Sequence, residues 1–387
     1  MSFKQIVLGT FVFCNLVFAD SDPPPLDLAI SNALEHMRNS EYREAEPLLR
    51  AALKELDGQP DPDPRRGPVL NNLGATRYYL GDLAEAENLY LRARAEMKAN
   101  PDGNYASVIT NLGMLYLRAG NFESAESLLE EALNIHQRDP GRDSPEAASD
   151  LSHLADLHRR TARYNEAERE ARRSAAILSH AGGDRRIALG DVLQTLASIC
   201  QAQGNLVESE RLNHRALELR ESALDAADPR IAASLASLAD LRVHQNRYDE
   251  AEQLLKRALA IWRRAFGDRH FNVAAVLNNL AQIYKVTNRH AEAENFYRSA
   301  LEAWEWSLGR SSVDYALGLA NLADLYRIEG RLYASAELYR ESLAILEPRL
   351  GSAHPNVVAV KAGLDQAVRA NRRQRENTVD FRALLRK

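Results

Sequence analysis

Six glutamates, Glu87, Glu126, Glu168, Glu210, Glu252 and Glu294, recur at intervals of 39 or 42 residues. Carboxylates in a regular file can move protons or hold cations. These, however, stand early in helix-forming stretches, where an acid is favoured by the positive end of the helix dipole. That structural role is the simpler reading. His153 and His158 are five apart and do not share a helix face, as a pair of metal ligands would. His270 and His354 fall in loops between periodic segments, and surface or loop packing is the expectation for every histidine. Cys200 takes an inward position, which suits a buried thiol better than a nucleophile. The sequence has no glycine-rich phosphate loop, no HExxH, no GxSxG and no paired CxxC, so neither an enzyme nor a cofactor is expected. The chemistry that remains is that of amides. Asn72, Asn111, Asn279 and Asn321 occupy one recurring position, with His153, Thr195 and Ser237 between them. A carboxamide presents an acceptor and two donors. A ladder of them along a groove can satisfy the main chain of an extended peptide.

A period sets that ladder. Leu112, Leu154, Leu196, Leu238, Leu280, Leu322 and Leu364 are each 42 residues apart, and Leu73 begins the series 39 residues earlier. Repetition on this scale means stacked copies of one supersecondary unit. In one copy, residues 229–245 put Ile231, Leu235, Leu238, Ala239 and Leu241 at helical spacing. Residues 249–266 do the same with Ala251, Leu254, Leu255, Ala258, Leu259 and Trp262. No stretch alternates as a strand does, so each copy predicts a helical hairpin. Its turn recurs at Gly81, Gly120, Ala162, Gly204, Asn246, Asn288 and Gly330, and glycine and asparagine suit the left-handed end of a helix. Small residues at Ala86, Ala125, Ala167, Ser209, Ala251, Ala293 and Ser335 let the two helices approach. A second series seven positions on, from Ala93 to Ser342, is expected to do the same against the next copy.

Leu-Gly/Ala, a tyrosine four residues after the leucine (Tyr116, Tyr284, Tyr326), the turn, and Tyr-x-Glu-Ala-Glu at 42–46 and 248–252 together resemble the tetratricopeptide repeat. The 42-residue length, LNNLAQIY at 277–284 and Leu350-Gly351-x-x-His354-Pro355 are similar to its kinesin-light-chain type. The resemblance covers residues 27–371. It implies an all-α, right-handed superhelical solenoid of antiparallel helix hairpins, with structural roles for His270 and His354. It also implies that the first helix of each hairpin lines a concave groove, where asparagines grip a peptide main chain. The candidate groove residues are Asn72, Asn111, Asn279 and Asn321, with Gln282, Lys285, Arg327 and Tyr78 on the same face. The Lys/Asn pattern with which chaperone-binding members hold a C-terminal carboxylate is absent. The expected function is a non-enzymatic interaction scaffold for a protein or extended peptide.

Seven hairpins are expected over 67–350. A degenerate one precedes them at 27–56, with Asn32 at the leucine position, followed by a proline-rich loop at 57–67. A capping helix at 351–371 and a basic tail at 372–387 complete the chain, and atypical ends are normal for stacked repeats. Residues 1–19 read as a signal peptide: Lys4, an apolar run from Ile6 to Phe18, then Val17-Phe18-Ala19. Cleavage near Ala19 would leave an exported protein, periplasmic or secreted. With 49 basic and 54 acidic residues the net charge is -5, which argues against a nucleic-acid partner. Two alternatives are an accessory subunit of a separate enzyme and an envelope assembly factor that meets anionic lipid through Arg372, Arg373, Arg375, Arg382, Arg386 and Lys387.

Overall fold

The hydrophobic period of 3.6 becomes paired helices throughout. In the computed structural model, described over residues 25–59, 63–99, 101–182 and 184–384 (backbone alone at 139–140 and 375–384), the described residues hold seventeen α-helices and no strand. The signal-peptide segment and Cys14 lie outside the described residues. The hairpins are α1 (Pro25–Arg38) with α2 (Tyr42–Asp57), α3 (Arg66–Tyr79) with α4 (Leu83–Met97), α5 (Gly103–Ala119) with α6 (Phe122–His136), and α7 (Pro145–Arg160) with α8 (Tyr164–His180). They continue as α9 (Arg186–Ala202) with α10 (Leu206–Glu221), α11 (Pro229–His244) with α12 (Tyr248–Phe266), α13 (Phe271–Val286) with α14 (His290–Leu308), and α15 (Val313–Ile328) with α16 (Leu332–Leu350). The last helix, α17, is Pro355–Leu384. It continues through residues set apart above as a tail, because no proline or glycine interrupts 364–384. The chain divides into two units, one holding α1–α12 and ending at His270, the other holding α13–α17 from Phe271. The whole is an all-α solenoid of helical hairpins. Among the described residues no helix is long and apolar enough to cross a membrane.

The turn series sets the hairpins. All seven positions have φ between +60° and +90°, Ala162 included at +63°, and Ser40 adopts +61° in the first hairpin. Several second helices then start on side-chain caps: Asp82 Oδ1 accepts from the Glu85 amide at 3.1 Å and Asn121 Oδ1 from Ser124 at 3.3 Å.

The core is the leucine file with the small residues facing it. Leu73, Leu112, Leu154, Leu196, Leu238, Leu280 and Leu322 are all buried. Asn32, at the same register in α1, is exposed, as befits the outward face of an end hairpin. Both small-residue series are buried, but the second serves a different purpose from the one expected. Ser342 Oγ donates to the Ala316 carbonyl at 2.7 Å and Ser174 Oγ to the Ala148 carbonyl at 2.5 Å, each within its own hairpin. Seven residues make two helical turns, so the two series share one face and both line the seam inside the hairpin.

Candidate functional site

On the first helices, the asparagines before the leucines make hydrogen bonds within and between hairpins. In the unit of α1–α12, Asn72 and Asn111 are buried. Asn111 Nδ2 donates to Asn71 Oδ1 at 3.0 Å, tying α5 to α3, and Asn71 Nδ2 reaches Asn72 Oδ1 at 3.4 Å. Tyr78 is buried as well, its hydroxyl 3.4 Å from Arg118 Nε one hairpin on. Further along, Gln201 Nε2 donates to Asp240 Oδ2 at 2.5 Å. Residues one period apart sit side by side on successive first helices, and their polar groups meet there.

The unit of α13–α17 repeats this pattern and adds charge. Asn279 and Asn321 are buried, and Asn321 Nδ2 donates to Asn278 Oδ1 at 3.0 Å. Lys285 and Arg327 are half-buried on α13 and α15. Arg327 Nη2 lies 3.5 Å from Asp324 Oδ1, and Tyr339 Oη on α16 donates to the same oxygen. Burial lowers the Lys285 ammonium below the usual lysine range, with Asp324 opposing and Arg327 adding to the effect. One hairpin earlier the equivalent pair is not made. Tyr297, 42 residues before Tyr339, is 1% exposed, and its hydroxyl finds no protein partner; nor does Gln282 Nε2, although Gln282 is only 5% exposed. The candidate residues thus form two groups, Asn72, Asn111 and Tyr78 in one unit and Asn279, Asn321, Gln282, Lys285 and Arg327 in the other. In the second, Lys285 and Arg327 lie near the Asp324 carboxylate, while Gln282 and the neighbouring Tyr297 of the same hairpin leave donors unmade. Among the described residues, no three of the His, Cys, Asp and Glu side chains could hold a metal ion. Cys200 is buried, which raises its thiol pKa.

The acids and histidines do more than the sequence reading assigned them. Glu126 accepts from both ends of the Arg163 guanidinium, at 2.7 and 2.8 Å, and lies 3.2 Å from His158 Nε2. Glu210 accepts from Arg242 at 2.8 Å and Gln245 at 2.8 Å. Glu294 accepts from Tyr326 at 2.7 Å and Arg331 at 2.7 Å. Each of these three glutamates therefore clamps its hairpin to the next, a role beyond the helix dipole. Arg163 holds Glu126 below the usual carboxylate range, and Arg242 does so for Glu210. Burial pushes Glu294 up, but Tyr326, Arg298 and Arg331 bring it down to about 2. His136 is no surface residue. It is 1% exposed, with Nδ1 2.6 Å from Asp150 Oδ2, while Thr110 Oγ1 donates to the other carboxylate oxygen at 2.7 Å. Arg220, also 1% exposed, bonds Gln194, Ser234 and Asp191. The clamps had a readable signal, a donor 32 or 37 residues after the glutamate. The His136 and Arg220 networks occur once each and had none.

Three tetratricopeptide repeat models match this chain, at residues 31–104, at 104–179, 188–261 and 236–305, and at 316–356. A TPR repeat-containing protein of Dictyostelium discoideum is 28% identical over 147 residues, which are 37% of this chain and 9% of that protein. The chain thus spans about a tenth of that relative's length. A Rap protein complexed with Competence and Sporulation Factor is similar in fold, with a TM-score of 0.56 at 16% identity over 88% of this chain and 99% of the Rap chain. TPR-like repeats of a kinesin light chain from Podosopora anserina reach a TM-score of 0.41 at 20% identity, over 53% of this chain and 97% of that one.

Proposed function

Because the chain belongs to the tetratricopeptide repeat family, we propose that it is a non-enzymatic scaffold binding an extended segment of a partner protein along the polar face of its first helices. That stacked hairpins serve protein–protein interaction is the general work of the family; the face and the form of the partner are the proposal. One observation carries it: Gln282 Nε2 and Tyr297 Oη are buried donors without a protein acceptor. A buried donor left unmade costs about 1–3 kcal/mol, which a partner's carbonyl or carboxylate would recover as the side chains covering it move aside. Lys285 and Arg327 favour the anionic alternative. The Rap protein of similar fold was captured with a bound factor, which supports binding as the work of such an array.

Partner capture on the full chain from a native envelope extract supplies the ligand, and titration calorimetry supplies the test. Gln282→Ala with Lys285→Ala should weaken the captured partner at least about tenfold, equivalent to 1.4 kcal/mol, with helical content unchanged. Undiminished affinity would move the binding surface to the second helices. Asn321→Ala is the less clean probe, because that amide already links two hairpins.

The export reading from residues 1–19 completes the proposal, placing the scaffold in the periplasm or outside the cell. Sequencing of the native N-terminus should begin at Asp20. Retention of Met1 or Ser2 would overturn it.

A further inference from the structure

Within the unit of α1–α12, the first two hairpins touch the sixth. The ring of Tyr42, at the start of α2, stacks on Tyr79, at the end of α3, with centroids 4.2 Å apart and planes within 13°. Phe266, at the end of α12, lies 6.3 Å from Tyr42, and His270 stacks on Phe266 at 4.3 Å. All four rings are buried. Beside them Arg230 Nη2, from α11, donates to the carbonyl of Arg38 at 3.2 Å. The Arg43 guanidinium, from α2, reaches over Gly267, where a Cβ would stand 3.3 Å from it.

This contact differs in kind from those between consecutive hairpins. Neighbouring hairpins pack along whole helices, whereas α2 and α12 do not lie along each other. The seam's crossing contacts join residues more than 180 positions apart. It is also written into departures from the repeat. Tyr79 stands at a position where no other hairpin has a phenyl or phenol ring, the next being Arg118 and Arg160. Phe266 replaces the leucine found at Leu224, Leu308 and Leu350. Both exceptions fall on the seam, one on each side of it.

We propose that this aromatic seam is a latch that holds the six-hairpin unit as a closed turn and, when released, lets the turn open with every hairpin intact. Hairpins three to five lie between the two sides. A small rotation at each of their interfaces sums to a large displacement of the ends, while the seam itself is lost in one step. Opening would change the curvature of the first-helix face, and so its fit to anything laid along it. The inference stands on the seam contacts and not on the proposed binding face.

The test is a distance measurement on the full chain. Spin labels at Glu44→Cys and Arg264→Cys, both exposed positions on either side of the seam, in a Cys14→Ser, Cys200→Ser background, should give one narrow, short distance. Phe266→Ala with Arg230→Gln should lengthen and broaden it without loss of helical signal. Amides at 38–43, 77–80 and 266–270 should then exchange about tenfold faster or more, those of α5–α10 being unaffected. If that variant loses helix, Tyr79→Leu alone must give the same broadening. A narrow distance in every folded variant, or a broad one in the parent, would overturn the latch. Neither readout requires a bound partner.

Discussion

At the residue scale the histidines show how far environment outweighs residue type. Burial, helped by Arg118, brings the His270 imidazole down to about 3. Burial also pulls down His136 and His158, but the bonds to Asp150 and Glu170 prevail and raise both above the usual value of 6.5. The signs for stability are therefore opposite. An unfolded chain protonates its His270 below pH 6.5 while the folded one resists until about 3, so folding loses stability as pH falls through that window, by at most about 1.4 kcal/mol per pH unit. His136 and His158 contribute stability fully below 6.5 and lose it as pH rises through their raised folded values. Ring carbon–proton NMR over pH 3–8 should show His270 unprotonated at pH 5 while His136 and His158 are protonated; a common midpoint for all three would contradict the assignment. Ala162 is a second case. It holds φ +63° where all other hairpins but the first use glycine or asparagine. Ala162→Gly should stabilise by about 0.5–1 kcal/mol, read as a higher thermal midpoint. Sequence spacing pointed to the turn and to Cys200. It could not show that His136 would meet Asp150, because fourteen residues and two helix faces must first be folded together.

At the scale of the helix and hairpin most of the architecture was legible. A period of 42 and an inner period of 3.6 give two amphipathic helices, and α11 and α12 fall within a residue of the ranges read from their leucines. What periodicity could not give is which neighbour a face meets. The second small-residue series looked suited to the next hairpin because every second helix has one on each side. Antiparallel packing settles the matter, placing Ser335 on Ala323 and Ser342 on Ala316 along one seam. Within this scheme Leu238 is a full core residue, 3% exposed. Leu238→Ala should cost about 2–5 kcal/mol. Because each hairpin packs chiefly on its neighbours, hydrogen exchange should rise from α9 to α12 and stay unchanged in α3 and α4. A uniform rise along the chain would mean that the array unfolds as one body.

At the scale of the whole molecule the candidate face was legible as a row and illegible as chemistry. Within each unit the asparagines share one register on successive first helices, Asn72 with Asn111 and Asn279 with Asn321. Spacing alone could not show that Asn111 and Asn321 spend an amide donor on the preceding hairpin, nor that Gln282 and Tyr297 leave theirs unmade. Those are outcomes of how closely first helices approach. The seam between Tyr42 and Phe266 was beyond reach for the same reason, since it depends on rotations accumulated over four intervening hairpins. It also makes repeat number count. Hairpin arrays commonly gain and lose copies by duplication and excision, and each glutamate clamp here would accept a new neighbour. Excise one period, residues 122–163 for instance, and Asn121 joins Tyr164 in a sound hairpin of α5 with α8, yet Tyr42 and Phe266 would stand one hairpin out of register. The first six copies are thus bound to be six, and their lineage should tolerate substitution far more readily than a change in length.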